Sequence, residues 1–237
     1  MTVVGVPVIN RPDLLLRFLD SIDTAWPVVV IDNSPGPEII EALADRGVDL
    51  MCPSSNLGVA ASWNLIIRMH PDADWWCIAN ADAELGRGDL ERLASEMAKP
   101  GPRWVGINGD WRVFGINAEC IERAGWFDEN FHPIYCEDAD YEYRCRLAGV
   151  PAYSIAGAAS HVGSAAIRSG YAAANARTYP ANVAYFEAKW GGRLRGGETF
   201  ATPFNRGGSI RDWTLDLARL RDLSWETTMI LPEGETR

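Results

Sequence analysis

In Trp75-Trp76-Cys77-Ile78-Ala79-Asn80-Ala81-Asp82-Ala83-Glu84, five mostly apolar residues run without a break into Asn80-Ala81-Asp82. A run so short and so apolar reads as a strand buried on both faces, as in an open α/β sheet. Such sheets bind ligands at the carboxyl ends of their strands, where polar side chains emerge. Asn80 and Asp82 are two residues apart, so they share a direction where strand geometry continues. One amide oxygen and one carboxylate there suit a hard divalent cation and, through it, a phosphate. The plainer alternative is a strand-end turn, because Asn and Asp are turn formers.

Working outward toward the amino end, Thr2 to Ile9 reads as a strand leading into Asn10-Arg11-Pro12-Asp13. Pro12 fits the first turn of a helix whose apolar face is Leu14, Leu15, Phe18, Leu19 and Ile22. Val28 to Ile31 is a second strand, ending in Asp32-Asn33-Ser34, and a helix from Glu38 to Asp45 follows. Val48 to Cys52 is a third strand, followed by Ser54-Ser55-Asn56-Leu57-Gly58 and a helix from Val59 to Met69. Toward the carboxyl end the pattern predicts a helix over 88–98, strands near 103–108 and 111–116, and a short helix from Ala118 to Ala124. Gly125 stops that helix. An aromatic and acidic stretch, Trp126 to Asp138, leads into a helix that Gly149 ends, and Val150 to Ile155 is a strand before His161. Strands alternating with helices argue a parallel α/β sheet in the first half. After about residue 165 the chain turns rich in Ala, Arg and Tyr and reads as a helical appendage with loops.

The chain has 237 residues, which suits one domain with an appendage. Its net charge of −10 argues against a general nucleic-acid binder, which needs a basic footprint. Cations do gather at Arg177, Lys189, Arg193, Arg195, Arg206 and Arg211, either as an anion-facing patch or as a solvated face. Most of the ten tryptophans are expected in the core or half-buried. The five cysteines form no CxxC pair and no zinc spacing, which predicts reduced thiols and a cytoplasmic home. The opening Met-Thr-Val-Val-Gly-Val-Pro lacks the basic region of a secretory leader, and no apolar run is long enough to span a membrane. Contact with a membrane face is therefore expected only through a partner.

Three strand ends carry polar groups: Asn10-Arg11, Asp32-Asn33 and Asn80-Asp82. Asp32 could read a base or ribose, or could simply cap a turn. Asn56 and Gly58 precede a helix, where a close backbone and the positive dipole end favour phosphate. Neither GxGxxG nor GxxxxGKS occurs, so dinucleotide and P-loop binding are unsupported. Glu137 and Asp138 are adjacent carboxylates beside aromatics, an arrangement that calls for a cation, a helix N-terminus or a chemical task. Asp140 and Arg144 are four apart and are expected to pair structurally. His161 would suit Mn²⁺ or Mg²⁺ if it met Asp82.

Six pieces occur in a telling order: Val-Val-Ile-Asp-Asn-Ser (29–34), Asn-Leu-Gly-Val-Ala-Ala-Ser-Trp-Asn (56–64), Asn-Ala-Asp-Ala-Glu-Leu (80–85), Gly-Trp-Phe-Asp-Glu-Asn-Phe (125–131), Glu-Asp-Ala-Asp-Tyr-Glu-Tyr-Arg (137–144) and His-Val-Gly-Ser (161–164). Over about residues 3 to 164 the chain resembles family 2 glycosyltransferases, and within them the inverting, rhamnosyltransferase-like branch. The resemblance implies a GT-A fold, a Rossmann-like mixed sheet flanked by helices. It divides the chain into a glycosyltransferase domain over 1–164 and a C-terminal appendage over 165–237. Within the domain, the nucleotide-binding half covers about 1–85 and the acceptor half about 86–164.

The resemblance also implies roles. Asp32 matches an aspartate that contacts the nucleotide base. Pro7, Asn10 and Arg11 match the loop beside the nucleotide, and Asn56, Gly58 and Asn64 the segment near ribose and phosphates. Asn80-Ala81-Asp82 matches the DxD-type motif with one carboxylate fewer, leaving Asp82 as metal ligand and His161 to complete the site. Asp138 matches the catalytic base, with Glu137 beside it as a positioning group. The implied reaction moves a sugar from a UDP-, dTDP- or GDP-linked donor to an acceptor hydroxyl, with Mn²⁺ or Mg²⁺ at the diphosphate. The acceptor could be a glycan, a lipid-linked saccharide, a protein or a modified base, and the chain could form oligomers. The alternative is a non-catalytic module that binds nucleotide sugars or glycans on the same fold.

Overall fold

The structure, a computed structural model, describes residues 1–161, 163 and 170–191, and for His161 the backbone. The elements run β1 (Thr2–Val8), α1 (Pro12–Ser21), β2 (Val28–Asp32), α2 (Glu38–Ala42), β3 (Asp49–Met51), α3 (Gly58–Met69), β4 (Trp75–Ala79) and β5 (Ala83–Glu84). They continue α4 (Asp89–Met97), β6 (Trp104–Ile107), β7 (Val113–Asn117), α5 (Ala118–Ala124), α6 (Glu137–Leu147), β8 (Ala152–Ile155), β9 (Ser160–His161) and α7 (Ala172–Trp190).

Seven strands form one sheet in the order β3-β2-β1-β4-β7-β6-β8. The expected parallel pairing holds across the first half, where β1 pairs in parallel with both β2 and β4, and β2 with β3. At β4 the direction changes: β7 runs antiparallel to it, and β6 antiparallel to β7. Every residue of β4 is buried, as its apolar run requires. Its side chains alternate between two packed layers. Trp75, Cys77 and Ala79 pack with Leu15 and Phe18 of α1 and Leu90, Leu93 and Met97 of α4. Trp76 and Ile78 pack with Trp63, Ile66 and Ile67 of α3, Ile121 of α5 and Tyr141 of α6. Gly5 lets α3 approach β1 closely, since a Cβ there would stand 2.3 Å from Ile66 Cγ2.

Several elements are shorter than expected, β8 among them, which begins at Ala152 instead of Val150. α2 stops at Ala42 rather than Asp45, because the bonds Ala44 N to Glu41 O (3.4 Å) and Arg46 N to Leu43 O (2.9 Å) tighten the chain into turns. β3 shrinks to Asp49–Met51 at the sheet edge, with both ends exposed. The short ladder of β5 with β9 is not foreseen, because two residues carry no readable period.

The expected Asp140–Arg144 pair forms inside the protein, with Arg144 Nε donating to Asp140 Oδ2 at 2.9 Å. α7 packs against it. Phe186 and Trp190 are buried with Phe131 and Cys136. Trp190 Nε1 donates to Asp140 Oδ1 at 2.8 Å, and Lys189 Nζ lies 2.6 Å from Asp128 Oδ2 and 2.6 Å from Asp140 Oδ1. Of the basic group read from the sequence, Lys189 thus belongs to a buried ion triad instead of a solvated or anion-facing surface. Arg193, Arg195, Arg206 and Arg211 lie outside the described residues. The five cysteines are free, and all but Cys52 are buried. Among the described residues no helix is long and apolar enough to cross a membrane.

Candidate active site

The carboxyl end of β4 turns at once. Asn80 N donates to Arg112 O at 2.8 Å, and Ala83 N donates back to Asn80 O at 3.0 Å. The turn presents Asp82 to a cavity of about 590 Å³. Arg112 comes from the loop joining β6 to β7, where Asp110 holds its guanidinium through Nε at 2.6 Å. Arg11 stands at the start of α1, with Nε on Asp13 Oδ1 at 2.7 Å. Asp110 and Asp13 respectively hold these two arginines firmly protonated, and the Asp82 charge adds to both effects. Asp82 therefore lies within the field of two guanidiniums.

The start of α3 supplies the next wall. Asn56 Oδ1 accepts from Gly58 N at 2.8 Å, and Val59 N donates to Pro133 O at 2.8 Å. Gly58 has φ +78, and a Cβ there would meet Pro133 O at 2.7 Å, so backbone from two distant segments touches at this point. Opposite, Tyr135 and Cys136 take positive φ values of 82 and 78 and turn the chain into α6. Glu137 and Asp138 open that helix, where carboxylates match the dipole. Asp138 Oδ1 accepts from Ala139 N at 2.8 Å.

The cavity thus joins Pro7, Arg11, Asn56, Gly58, Asn80, Ala81 and Asp82 on one side with Glu137 and Asp138 on the other. Asn10 is tied to it indirectly, its Nδ2 donating to the lining residue Tyr171 at 2.7 Å. Asp32 and Asn64 are not brought to the lining. Asp32 is 2 % exposed, and its Oδ1 accepts from Ser34 N at 2.8 Å, a turn cap. Asn64 is 1 % exposed and clamps Phe127, accepting from its N–H at 3.0 Å and donating to its carbonyl at 2.9 Å. The His161 backbone pairs with Ala83, the residue after Asp82. The His161 side chain and Ser164 of the same motif lie outside the described residues.

Several lining residues are not foreseen from the sequence. Arg112 and Asp110 belong to a hairpin loop whose direction no local pattern reveals. Tyr171, Ala174 and Asn175 belong to the segment read as an appendage, yet the start of α7 closes the cavity. The Asn175 Oδ1 is buried without a partner among the described residues.

Glu137 is 4 % exposed, and its Oε2 is buried without a partner among the described residues. Burial first, and the neighbouring Asp138 charge second, push its carboxyl well above the usual 4.5. The folded state then keeps a proton that the unfolded chain releases, so stability falls as pH rises above about 4.5. The expected slope from this group is at most about 1.4 kcal/mol per pH unit. Glu137→Gln copies the protonated shape and removes the titration. The difference in unfolding free energy between variant and wild type is expected to grow in the variant's favour from pH 5 to 8. A difference independent of pH would mean that Glu137 is ionised in the fold.

The family described as Glycosyl transferase family 2 matches residues 3–144, a span that includes Asp82 and Asp138. The chain belongs to glycosyl transferase family 2. Its mixed sheet with helices on both faces is the GT-A fold of this family. Among solved structures it is similar to S. aureus TarS, at TM-score 0.52 and 14 % identity, over 65 % of this chain and 35 % of that one. The TarS 1–349 structures in complex with UDP and with UDP-GlcNAc match at TM-scores 0.52 and 0.50, over 65 % of this chain and 57 % and 55 % of theirs, each at 14 % identity. The chain therefore spans about a third of the first TarS chain and somewhat over half of the TarS 1–349 form. No protein of curated function matches the sequence.

The family resemblance implies a divalent cation at the donor diphosphate. Among the described residues no three His, Cys, Asp or Glu side chains gather to hold an ion. Asp82 with the Asn80 amide offers one carboxylate and one neutral oxygen donor at the cavity. That set does not suit a closed protein cage. It does fit Mg²⁺ or Mn²⁺, which bind through one or two carboxylates together with substrate phosphates.

Proposed function

We propose that this family 2 glycosyltransferase transfers a hexosyl unit from a nucleoside diphosphate sugar to an acceptor hydroxyl with inversion. The observation that carries the reading is that Asp82, at a strand's carboxyl end, and Asp138, at a helix's amino end, line one cavity. The UDP and UDP-GlcNAc complexes of the TarS neighbours support a nucleoside diphosphate donor. The Asn80-Ala81-Asp82 form of the motif favours the rhamnosyltransferase-like branch. Free buried thiols favour a reducing, cytoplasmic setting.

In this mechanism the nucleotide occupies the wall made by Pro7, Arg11, Asn56 and Gly58. Asp138 accepts the proton of the acceptor hydroxyl as its oxygen bonds to the anomeric carbon. The bond from that carbon to the donor phosphate breaks on the opposite face, so a single in-line displacement inverts the centre. Arg11 and Arg112 offset the charge that develops on the departing diphosphate. Asp82, with His161 by family resemblance, would hold a Mg²⁺ or Mn²⁺ ion that supplies further positive charge there. Glu137, whose carboxyl burial pushes toward the protonated form, stands beside Asp138 as its positioning neighbour.

The test is a panel of UDP-, dTDP- and GDP-sugars assayed for thermal stabilisation and for release of the nucleoside diphosphate. One donor is expected to stabilise the protein by about 2.7 kcal/mol at a hundredfold excess over Kd, and to be hydrolysed slowly. Stabilisation without turnover for every donor and acceptor would replace the reading with that of a binding module. EDTA is expected to suppress turnover, and Mn²⁺ or Mg²⁺ to restore it. Full activity in chelator would leave the diphosphate to Arg11 and Arg112 alone.

A further inference from the structure

A second cavity, also of about 590 Å³, adjoins the first. Both are lined by Gly109, Trp111 and Glu142. Along α6 the lining passes from Asp138 to Glu142 and on to Arg146, with Gly149 just past the helix end. Glu142 and Arg146 lie four and eight residues beyond Asp138, which is one stripe on a helix. At 1.5 Å per residue the stripe is about 12 Å long. The facing wall is β8, the sheet's edge strand, through exposed Ala152 and Ser154.

Trp104 and Trp111 line the groove as a stack with ring centroids 4.3 Å apart. Trp104 is 4 % exposed, and its indole N–H has no hydrogen-bond partner among the described residues. Trp111 Nε1 donates to Glu142 Oε1 at 2.8 Å, which fixes that carboxylate where the two cavities meet. The groove therefore has a floor of two largely buried indoles and combines an oriented carboxylate, a guanidinium and a serine hydroxyl. Hydroxyl-rich rings suit such a lining, with their hydroxyls toward these polar groups. A nucleic-acid strand would meet Glu142 and a net charge of −10. A peptide added to the β8 edge would use backbone groups and leave Glu142 and Arg146 without a role.

We infer that this groove holds the sugar units next to the one whose hydroxyl faces Asp138, so that the acceptor is an oligosaccharide. The inference rests on the transfer reading above and names its acceptor class. The test gives the full chain the donor it hydrolyses and a set of defined acceptors. These are methyl glycosides and di- to tetrasaccharides of glucose, galactose, mannose, rhamnose and N-acetylglucosamine, together with Ser- and Thr-containing peptides.

The best tri- or tetrasaccharide is expected to exceed its own terminal monosaccharide in kcat/KM by about tenfold or more. Ala152→Trp, which fills the groove, and Arg146→Ala, which strips it, are each expected to bring that ratio toward one. Equal rates for mono- and oligosaccharides would overturn the inference. So would a ratio untouched in both variants, preferred transfer to peptides, or donor hydrolysis with no oligosaccharide accepted. Absence of any donor binding or hydrolysis in the wild type would overturn the transfer reading and this inference together.

Discussion

Asp138→Asn is expected to lower glycosyl transfer by about 10²- to 10⁴-fold, the usual contribution of a positioned general base. The replacement is nearly isosteric. Its amide oxygen can still accept from Ala139 N, as the Asp138 Oδ1 does at 2.8 Å, so the first turn of α6 is kept. What it loses is the capacity to take a proton. On the proposed reading donor binding depends on the opposite wall of the cavity, from Pro7 to Asp82, and is expected to survive. Single-turnover transfer measured beside thermal stabilisation by the donor separates the two. An Asp138→Asn protein with near wild-type turnover would remove Asp138 from the base role. One that also fails to bind donor would point to a misfolded cavity.

Lys189→Met is expected to cost about 3–5 kcal/mol of stability, the range for breaking a buried ion pair from one side. Lys189 is 6 % exposed and serves both Asp128, at 2 %, and Asp140, at 0 %. Burial alone would raise the Asp128 carboxyl, but the Lys189 charge and hydrogen bond outweigh it and hold the group below its usual value. A carboxylate depressed in this way stabilises the fold above the unfolded value near 3.8 and loses that contribution as pH falls. Removing Lys189 reverses the effect, since an ionised Asp128 becomes a liability that protonation relieves. The loss should therefore be largest at neutral pH and shrink toward pH 4 in denaturant unfolding. Adding Asp128→Asn should recover part of it. A loss below 1 kcal/mol at pH 7 would show that the triad is not closed in solution.

The strand at the centre was legible because its five residues carry no charge, and a strand buried on both faces needs nothing more; its bounds, Trp75–Ala79, are those predicted. α5 was equally plain, with Gly125 to stop it, and Asn117 caps its start by accepting from Cys120 N at 3.0 Å. The placement of Asp82 and Asp138 followed from motif order and not from periodicity, and the structure brings both to one cavity. Asn64 shows the limit of that kind of reading. The residue belongs to a motif, but its amide is engaged by the Phe127 backbone, a contact 63 residues away that no local pattern encodes. The bond from Asn10 to Tyr171 spans 161 residues, and for the same reason the sequence of α7 reads as an appendage while its first turn lines the cavity. The Asp110–Arg112 loop was silent because hairpin loops look alike whether they face solvent or substrate.

The reversal of strand direction falls at the join between β4 and β7. On the proposed reading the wall for the nucleotide comes from before residue 85, with Arg112 added from beyond the join, and Glu137 and Asp138 come from after residue 105. On the proposed reading, a chimera exchanged at the β5–α4 turn keeps the backbone pairing of β4 with β7 and is expected to take its acceptor preference from the later segment.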